Sequence, residues 1–219
     1  MKFINNLRYL FAIPKSMYVN LRLLPFLQAI KLPIIVSNKT KLSSLKGNVY
    51  LKRVKTGIVR IGFGSIKLID YNYNRTILHI DGSIEFDGKC KIGQGSRIEV
   101  QKNGILKFGN NFIISGGAKI ICSDLISFGD SCLVSWDTLF MDTDQHDILD
   151  NKCEIINHDQ KIIIGEKVWV GTRSTILKGS TIPKGCIIGA ASLISSKYVI
   201  PNTILAGVPA KVIKENITW

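Results

Sequence analysis

Three side chains in this sequence, His79, His146 and His158, titrate near neutrality without help. An imidazole of ordinary pKa, about 6.5, can take a proton from a hydroxyl or an amine and return it later, so each is a candidate general base. Their surroundings differ. His79 lies in the strand-like run TILHI and is expected to be structural. His158 lies in NHDQ, which reads as surface. His146 ends the stretch DTDQH, with Asp142 and Asp144 beside it. One of those carboxylates could orient the imidazole or bind hydroxyls of an acceptor. Nearby carboxylates favour imidazolium and would spoil a base if the effect were large, so at most one contact is expected. Taken alone, a loop histidine among acids reads first as solvated charge.

The same D-x-D-x-H spacing raises the question of a cation. Counted from Asp142, the calcium-loop pattern fails, because Gly is absent at its sixth position and Glu at its twelfth. No metal site is expected. The five cysteines, Cys90, Cys122, Cys132, Cys153 and Cys186, form no C-x-x-C pair and are odd in number. They read as free, mostly buried thiols rather than a zinc ribbon or a disulfide framework. Cys132 or Cys153 could in principle carry an acyl group, but neither has an activating partner in sequence, and Cys132 fits a small inward position.

The elements that must position these residues are set by a repeat. Ile164, Val170, Ile176, Ile182, Ile188, Ile194 and Ile200 fall on one six-residue register. Neither a helical period of 3.6 nor a strand period of 2 produces it. Small residues recur four places after the aliphatic one, at Ser174, Ser180, Cys186 and Ser192, and Gly or Pro often comes directly after it. This is the pattern of a triangular coil, whose sides are short strands of about six residues. Each aliphatic residue points inward and stacks on its equivalents, because one coil cannot bury its own inner face. Upstream, the register continues in three runs: Ile80, Phe86, Ile92 and Ile98; Phe108, Ile114 and Ile120; Phe128, Val134 and Phe140. The shifts between runs are expected to be bulged corners. A longer break at 141–161 holds six acids and two histidines, and a loop interrupting a rigid coil is a natural place for function.

The N-terminal third is different. Residues 1–69 carry thirteen Lys or Arg and no acid, whereas residues 70–219 are balanced, so the whole formal charge of +13 lies in the first third. Such asymmetry suggests an anionic partner. Phe3, Ile4, Leu7, Leu10 and Phe11 make a helical stripe, and Pro14, Pro25 and Pro33 are expected to divide residues 12–36 into short pieces. One or two short amphipathic helices, then strands near 34–61, are expected to cap the open end of the coil. Membrane contact through this basic segment is a second reading; nucleic-acid binding has no recognisable motif. No apolar run is long enough for a membrane span or a signal peptide, which argues for a cytoplasmic protein, peripheral at most at the inner face of the membrane. The chain thus divides into a basic N-terminal segment (1–57, helical then strand), a β-helix (58–206) and a tail (207–219), the last expected to be a strand end and a short helix.

The register, with WVG at 169–171, IIGAAS at 187–192 and AGVPAKVIK at 206–214, closely resembles the hexapeptide-repeat acyltransferases over roughly residues 58–214. The DTDQH stretch before the last coils is most similar to sugar O-acetyltransferases of bacterial surface-polysaccharide synthesis. The resemblance implies an all-β, left-handed parallel β-helix, an exception to the right-handed crossover rule, and a homotrimer with its active site between adjacent subunits. It implies acetyl-coenzyme A as acyl donor and a sugar or polysaccharide acceptor. Two departures lie near the coenzyme path: Val208 stands where Asn is common, and SLISSKYVIPNT is a residue longer than usual.

Carried over residue by residue, the resemblance makes His146 the catalytic base, with Asp142 and Asp144 as candidates for the acceptor side. Trp169, Gly171, Thr172 and Arg173, then Gly189, Ala190, Ala191 and Ser192, become coenzyme A contacts. Lys197, Lys211 and Lys214 are candidates for its phosphates. The zinc-dependent carbonic anhydrases of this fold use a close pair of histidines that this sequence lacks. Direct transfer in a ternary complex is expected. Two alternatives remain: N-acetylation of an amino sugar, and a non-catalytic β-helix scaffold. A sugar nucleotidyltransferase would carry a preceding nucleotide-binding α/β domain, for which no pattern is present.

Overall fold

A computed structural model of the chain describes residues 2–64, 66, 70 and 73–219, with side chains from residue 8 onward. Its strands lie on three faces of a prism. The first face carries Ile34–Val36, Val59–Ile61, Cys90–Ile92, Phe112–Ile114, Leu133–Val134, Trp169–Val170, Ile187–Ile188 and Ile204–Gly207. The second carries Lys41–Leu45, Ile77–Ile80, Arg97–Val100, Lys119–Cys122, Leu139–Met141, Thr175–Leu177 and Leu193–Ile194. The third carries Asn48–Leu51, Ser83–Phe86, Ile105–Phe108, Leu125–Phe128, Ile162–Ile164 and Thr181–Ile182. The chain visits the faces in that order, and each strand pairs in parallel with the one a coil above. The coil begins at Ile34, well before the expected boundary at residue 58, since Ile34–Val36 pairs with Val59–Ile61.

The six-residue register has a direct geometric cause. Val134, Val170 and Ile188 stack on the first face, Phe140, Ile176 and Ile194 on the second, and Ile164 and Ile182 on the third. All are buried. Ser174, Ser180, Cys186 and Ser192 enter each side two residues earlier and are also buried, where a larger side chain would find no room. The corner between first and second faces turns through one left-handed residue per coil: Gly117, Asp137, Arg173 and Ala191.

The shifts between upstream runs come from longer sides rather than bulged corners. Ile98 and Val100, Leu106 and Phe108, and Ile126 and Phe128 are inward pairs on single strands, so those sides hold two core residues each. The larger interior is filled by an aromatic stack, with Phe108 sitting 5.3 Å from Phe86 and 5.6 Å from Phe128. Ile200 does not continue the register; it is 41% exposed. The bridge Thr181–Lys197 sets Tyr198 above Ile182 instead, where Tyr198 packs on the core and donates its hydroxyl to the Ala210 carbonyl at 2.8 Å. The extra length before Asn202 is taken up by the exposed residues Val199 and Ile200.

The N-terminal segment departs from expectation in two ways. Helix α1, Lys2–Leu23, runs through Pro14 without a break, and a single turn, α2, Phe26–Ala29, comes after it. A proline inside a helix costs about 3 kcal/mol. That cost is offset by docking, since Ala12, Val19, Leu23 and Leu24 are buried against the coil while Pro14 faces out. Leu10 and Phe11 of the expected stripe also face out, and the side chains of Phe3, Ile4 and Leu7 lie outside the described residues. The docked face caps the first strand. Ile34 N–H donates to Asn20 Oδ1 at 3.1 Å, Asn20 Nδ2 donates to Ile34 O at 2.7 Å, and Val36 N–H donates to Ser16 Oγ at 2.9 Å. The C-terminal tail forms no helix: Ala210–Lys214 folds back antiparallel on Ile204–Gly207.

Candidate functional site

The loop bearing His146 leaves the corner between the second and third faces, after Leu139–Met141, and returns at Ile162. It is a small hairpin, with Leu149 bridged to Ile155 and Ile156 N–H donating to Ile148 O at 2.9 Å. Its shape comes from Asn157, whose Nδ2 donates to Asp144 Oδ2 at 2.9 Å and to His146 O at 2.8 Å, while Oδ1 accepts from Ile148 N–H at 2.7 Å. Lys178, from the next coil, holds the base of the loop through Asp144 Oδ2 at 2.5 Å and Asn157 O at 2.7 Å. These hydrogen bonds and the Lys178 charge hold the Asp144 carboxyl below its ordinary range.

His146 is exposed and lines a cleft of about 490 Å³ together with Gln101, Ser123, Asp144, Gln145, Asn157 and His158. Among the described residues no carboxylate hydrogen-bonds its imidazole. Its backbone carbonyl is held by Asn157, and the exposed residue lines a cleft open to an incoming hydroxyl, as a base requires. Asp142 is elsewhere. It is fully buried, and its oxygens accept N–H groups from Ser123 at 2.7 Å and Asp124 at 3.0 Å. Burial raises its pKa, and those two hydrogen bonds oppose the rise. It joins the loop to the coil below. His79 lies on a strand with Nε2 at 3.0 Å from Asp81 Oδ2, away from the cleft. His158, expected at the surface, is exposed and shares the cleft wall with His146. Lys178 and Asn157 carried no signal in the sequence; only stacking of adjacent coils brings Lys178 to a carboxylate thirty-four positions away.

Of the coenzyme candidates, Trp169–Arg173 and Gly189–Ser192 lie on the first face and at its corner with the second, whereas Lys197 pairs beside Thr181 on the third face and Lys211 and Lys214 lie on the C-terminal hairpin. Trp169 Nε1 donates to Ser135 Oγ at 3.1 Å, and its ring lies 5.9 Å from that of Trp219, which the sequence did not single out. Thr172 Oγ1 donates to Trp136 O at 2.8 Å. Arg173 and Ala191 take the left-handed corner conformation and Arg173 is exposed. Gly171 is a packing requirement, since a Cβ there would sit 2.6 Å from Ile188 O. At Gly189 a Cβ would meet that of Ala206 at 2.9 Å. Ser192 Oγ accepts from Gly207 N–H at 3.2 Å, tying the corner to the C-terminal hairpin. Ala190, Lys197, Lys211 and Lys214 are exposed. None of these residues lines the His146 cleft. The His146 cleft and the Trp169–Arg173 segment therefore lie at different corners of the prism. Among the described residues no group of three or more His, Cys, Asp or Glu is placed to hold a metal. Cys132 is buried, its thiol pushed up to about 11 by desolvation, and its Sγ donates to Gly165 O at 3.1 Å, a poor setting for a nucleophile.

No protein-family model matches the chain. It is 31% identical over 200 residues, 90% of its length and 86% of the relative's, to an uncharacterized 24.8 kDa protein in the cps region of Klebsiella pneumoniae. It is 34% identical over 144 residues to the polysialic acid O-acetyltransferase of Neisseria meningitidis, covering 65% of this chain and 57% of that protein. The chain belongs to the hexapeptide-repeat acyltransferases. Among solved structures, the polySia-specific acetyltransferase NeuO superposes with a TM-score of 0.60 at 22% identity, over 85% of this chain and 75% of that one. The coil of this acyltransferase is accordingly the left-handed β-helix of the family. No described helix is long and apolar enough to cross a membrane.

Proposed function

We propose that this acyltransferase transfers an acetyl group from acetyl-coenzyme A to a sugar hydroxyl of a bacterial surface polysaccharide or its precursor. The observation that carries the reading is His146, an exposed residue lining an open cleft, on a loop held by Asn157 and Lys178. The names of its relatives supply the acceptor class. In this reading His146 accepts the proton of the hydroxyl as its oxygen attacks the thioester carbonyl carbon. A backbone N–H stabilises the tetrahedral oxyanion. Collapse of the intermediate breaks the C–S bond, and the imidazolium returns the proton to the departing thiolate. No acyl-enzyme is needed, in keeping with the buried Cys132. Asp144 positions the loop through Lys178 and leaves the acceptor to be held by other groups of the cleft. The separate corners support a trimer in which one subunit's His146 faces the neighbour's Trp169–Arg173 corner. The basic N-terminal segment, with the apolar outward face of α1 and α2, supports peripheral contact with an anionic membrane.

The test is release of coenzyme A thiol with a panel of sugars and lipid-linked sugars, for wild type and His146→Ala. Loss of a general base lowers turnover by about 10²–10⁴-fold. Coenzyme A binding should persist in the variant. Near-normal turnover would remove His146 from the mechanism.

A further inference from the structure

A second cavity, of about 550 Å³, lies on the first face at the N-terminal coils, far in sequence from the His146 loop. Five cations line it, Arg53, Lys55, Arg60, Lys89 and Lys91, and no Asp or Glu does. Arg60 and Lys91 are direct neighbours on adjacent strands, a like-charge pairing that is unfavourable unless something negative lies between or above it. Among the described residues neither carries an ion pair, and neither do Arg53, Lys55 and Lys89. Arg60 is held in place, with its guanidinium 5.4 Å from the Tyr9 ring centroid and Nε donating to Gly57 O at 3.2 Å. The neighbouring acids are engaged elsewhere: Asp87 faces Lys52 at 3.9 Å, and Asp130 accepts the Asn110 N–H at 2.7 Å.

We infer that this groove binds an acidic glycan, a chain bearing carboxylates or phosphates. The cations match repeated negative charge. Asn110 and Asn111 on the wall offer amides to hydroxyls, and Ile58 and Ile113 supply an apolar strip for the C–H faces of sugar rings. A concave groove with mixed amide and apolar walls suits a sugar chain better than a planar lipid surface. The apolar faces that would suit a membrane lie on α1 and α2, and are separable by mutation. The inference rests on the proposed sugar acceptor and narrows it: the acceptor, or the polymer that carries it, is anionic.

The experiment is titration of the full-length protein with polysialic acid oligomers, alginate oligomers, neutral dextran and anionic phospholipid vesicles, for wild type, Lys55→Gln/Lys89→Gln/Lys91→Gln and the charge-reversed Lys89→Glu/Lys91→Glu. All these positions are exposed, and thermal unfolding checks that the variants fold. Wild type should bind at least one acidic glycan, more weakly as salt rises, and neutral dextran far less. Both variants should lose acidic-glycan affinity by roughly tenfold or more, with coenzyme A binding unchanged. Unchanged glycan affinity, or a loss confined to vesicles, overturns the inference. Turnover separates the two readings. If no sugar is acetylated but the variants still lose glycan binding, the groove stands and the proposed reaction falls. If a small neutral sugar is acetylated and the variants bind acidic glycans normally, the groove falls and the reaction stands.

Discussion

Asp142 and Asp144 are two positions apart and have opposite environments. Asp142 is buried beneath the loop and satisfies two backbone N–H groups of the coil below. Replacing it with Ala leaves both donors without partners, each worth about 1–3 kcal/mol. Asp142→Ala is therefore expected to cost about 2–4 kcal/mol of stability, measured by urea unfolding; a loss below about 0.5 kcal/mol would mean that water replaces the carboxylate freely. Asp144 is exposed and tied to Lys178, so Asp144→Ala should leave stability nearly unchanged while lowering turnover through a looser loop. Its folded pKa is lowered. The contribution of its link to Lys178 is then fully present above the unfolded carboxylate value near 4 and is lost only as pH falls through the lower folded value. Circular dichroism should accordingly show no loop transition across the neutral range.

At the scale of elements, α1 has two unlike faces. Ser16 and Asn20 close the hydrogen-bonding edge of the first strand, which would otherwise invite pairing with another chain. The other face leaves Leu10, Phe11, Met17, Tyr18 and Leu21 exposed, and Phe26 and Leu27 of α2 extend it, Leu27 being 74% exposed. Arg22 and Lys31 stand among them, with no acid anywhere in residues 1–69. An apolar face rimmed only by cations fits an anionic lipid surface. The triple variant Leu10→Ser/Phe11→Ser/Leu27→Ser should fold as wild type and sediment with anionic vesicles several-fold less. Equal sedimentation would sink the membrane contact, and a change of oligomeric size instead would assign this face to a neighbouring subunit.

At the scale of the whole molecule, the proposed trimer assigns catalysis to the interface between subunits, because His146 and Arg173 lie at separate corners of one chain. His146→Ala and Arg173→Ala should each be impaired alone. Mixed by co-refolding at equal amounts, they should regain activity, because about one interface in four then joins an intact His146 to an intact Arg173. Absence of any recovery would overturn the shared site between subunits. The coil also explains how such a site tolerates variation. The outward residues of short strands, Thr175 and Ile187 among them, are free of the inward stacking that buries Val170, Ile176 and Ile188.

The coil was legible from residue order alone, because an inward aliphatic residue every six positions is a local requirement repeated at each side, and Val170, Ile176, Ile182, Ile188 and Ile194 all obey it. Residue order also marked the His146 loop, since the inward aliphatic register breaks off between Phe140 and Ile162. Three features needed the tertiary structure. Pro14 argues locally for a break, and only docking of α1 on Ile34–Val36 overrides it. Ile200 fits the register, yet the bridge to Thr181 puts Tyr198 in its place. Asp142, Asp144 and Lys178 acquire their partners from coils above and below, tens of residues away in sequence. Periodicity records what each coil does for itself; the contacts between coils depend on stacking, which brings together residues whose separation obeys no fixed spacing.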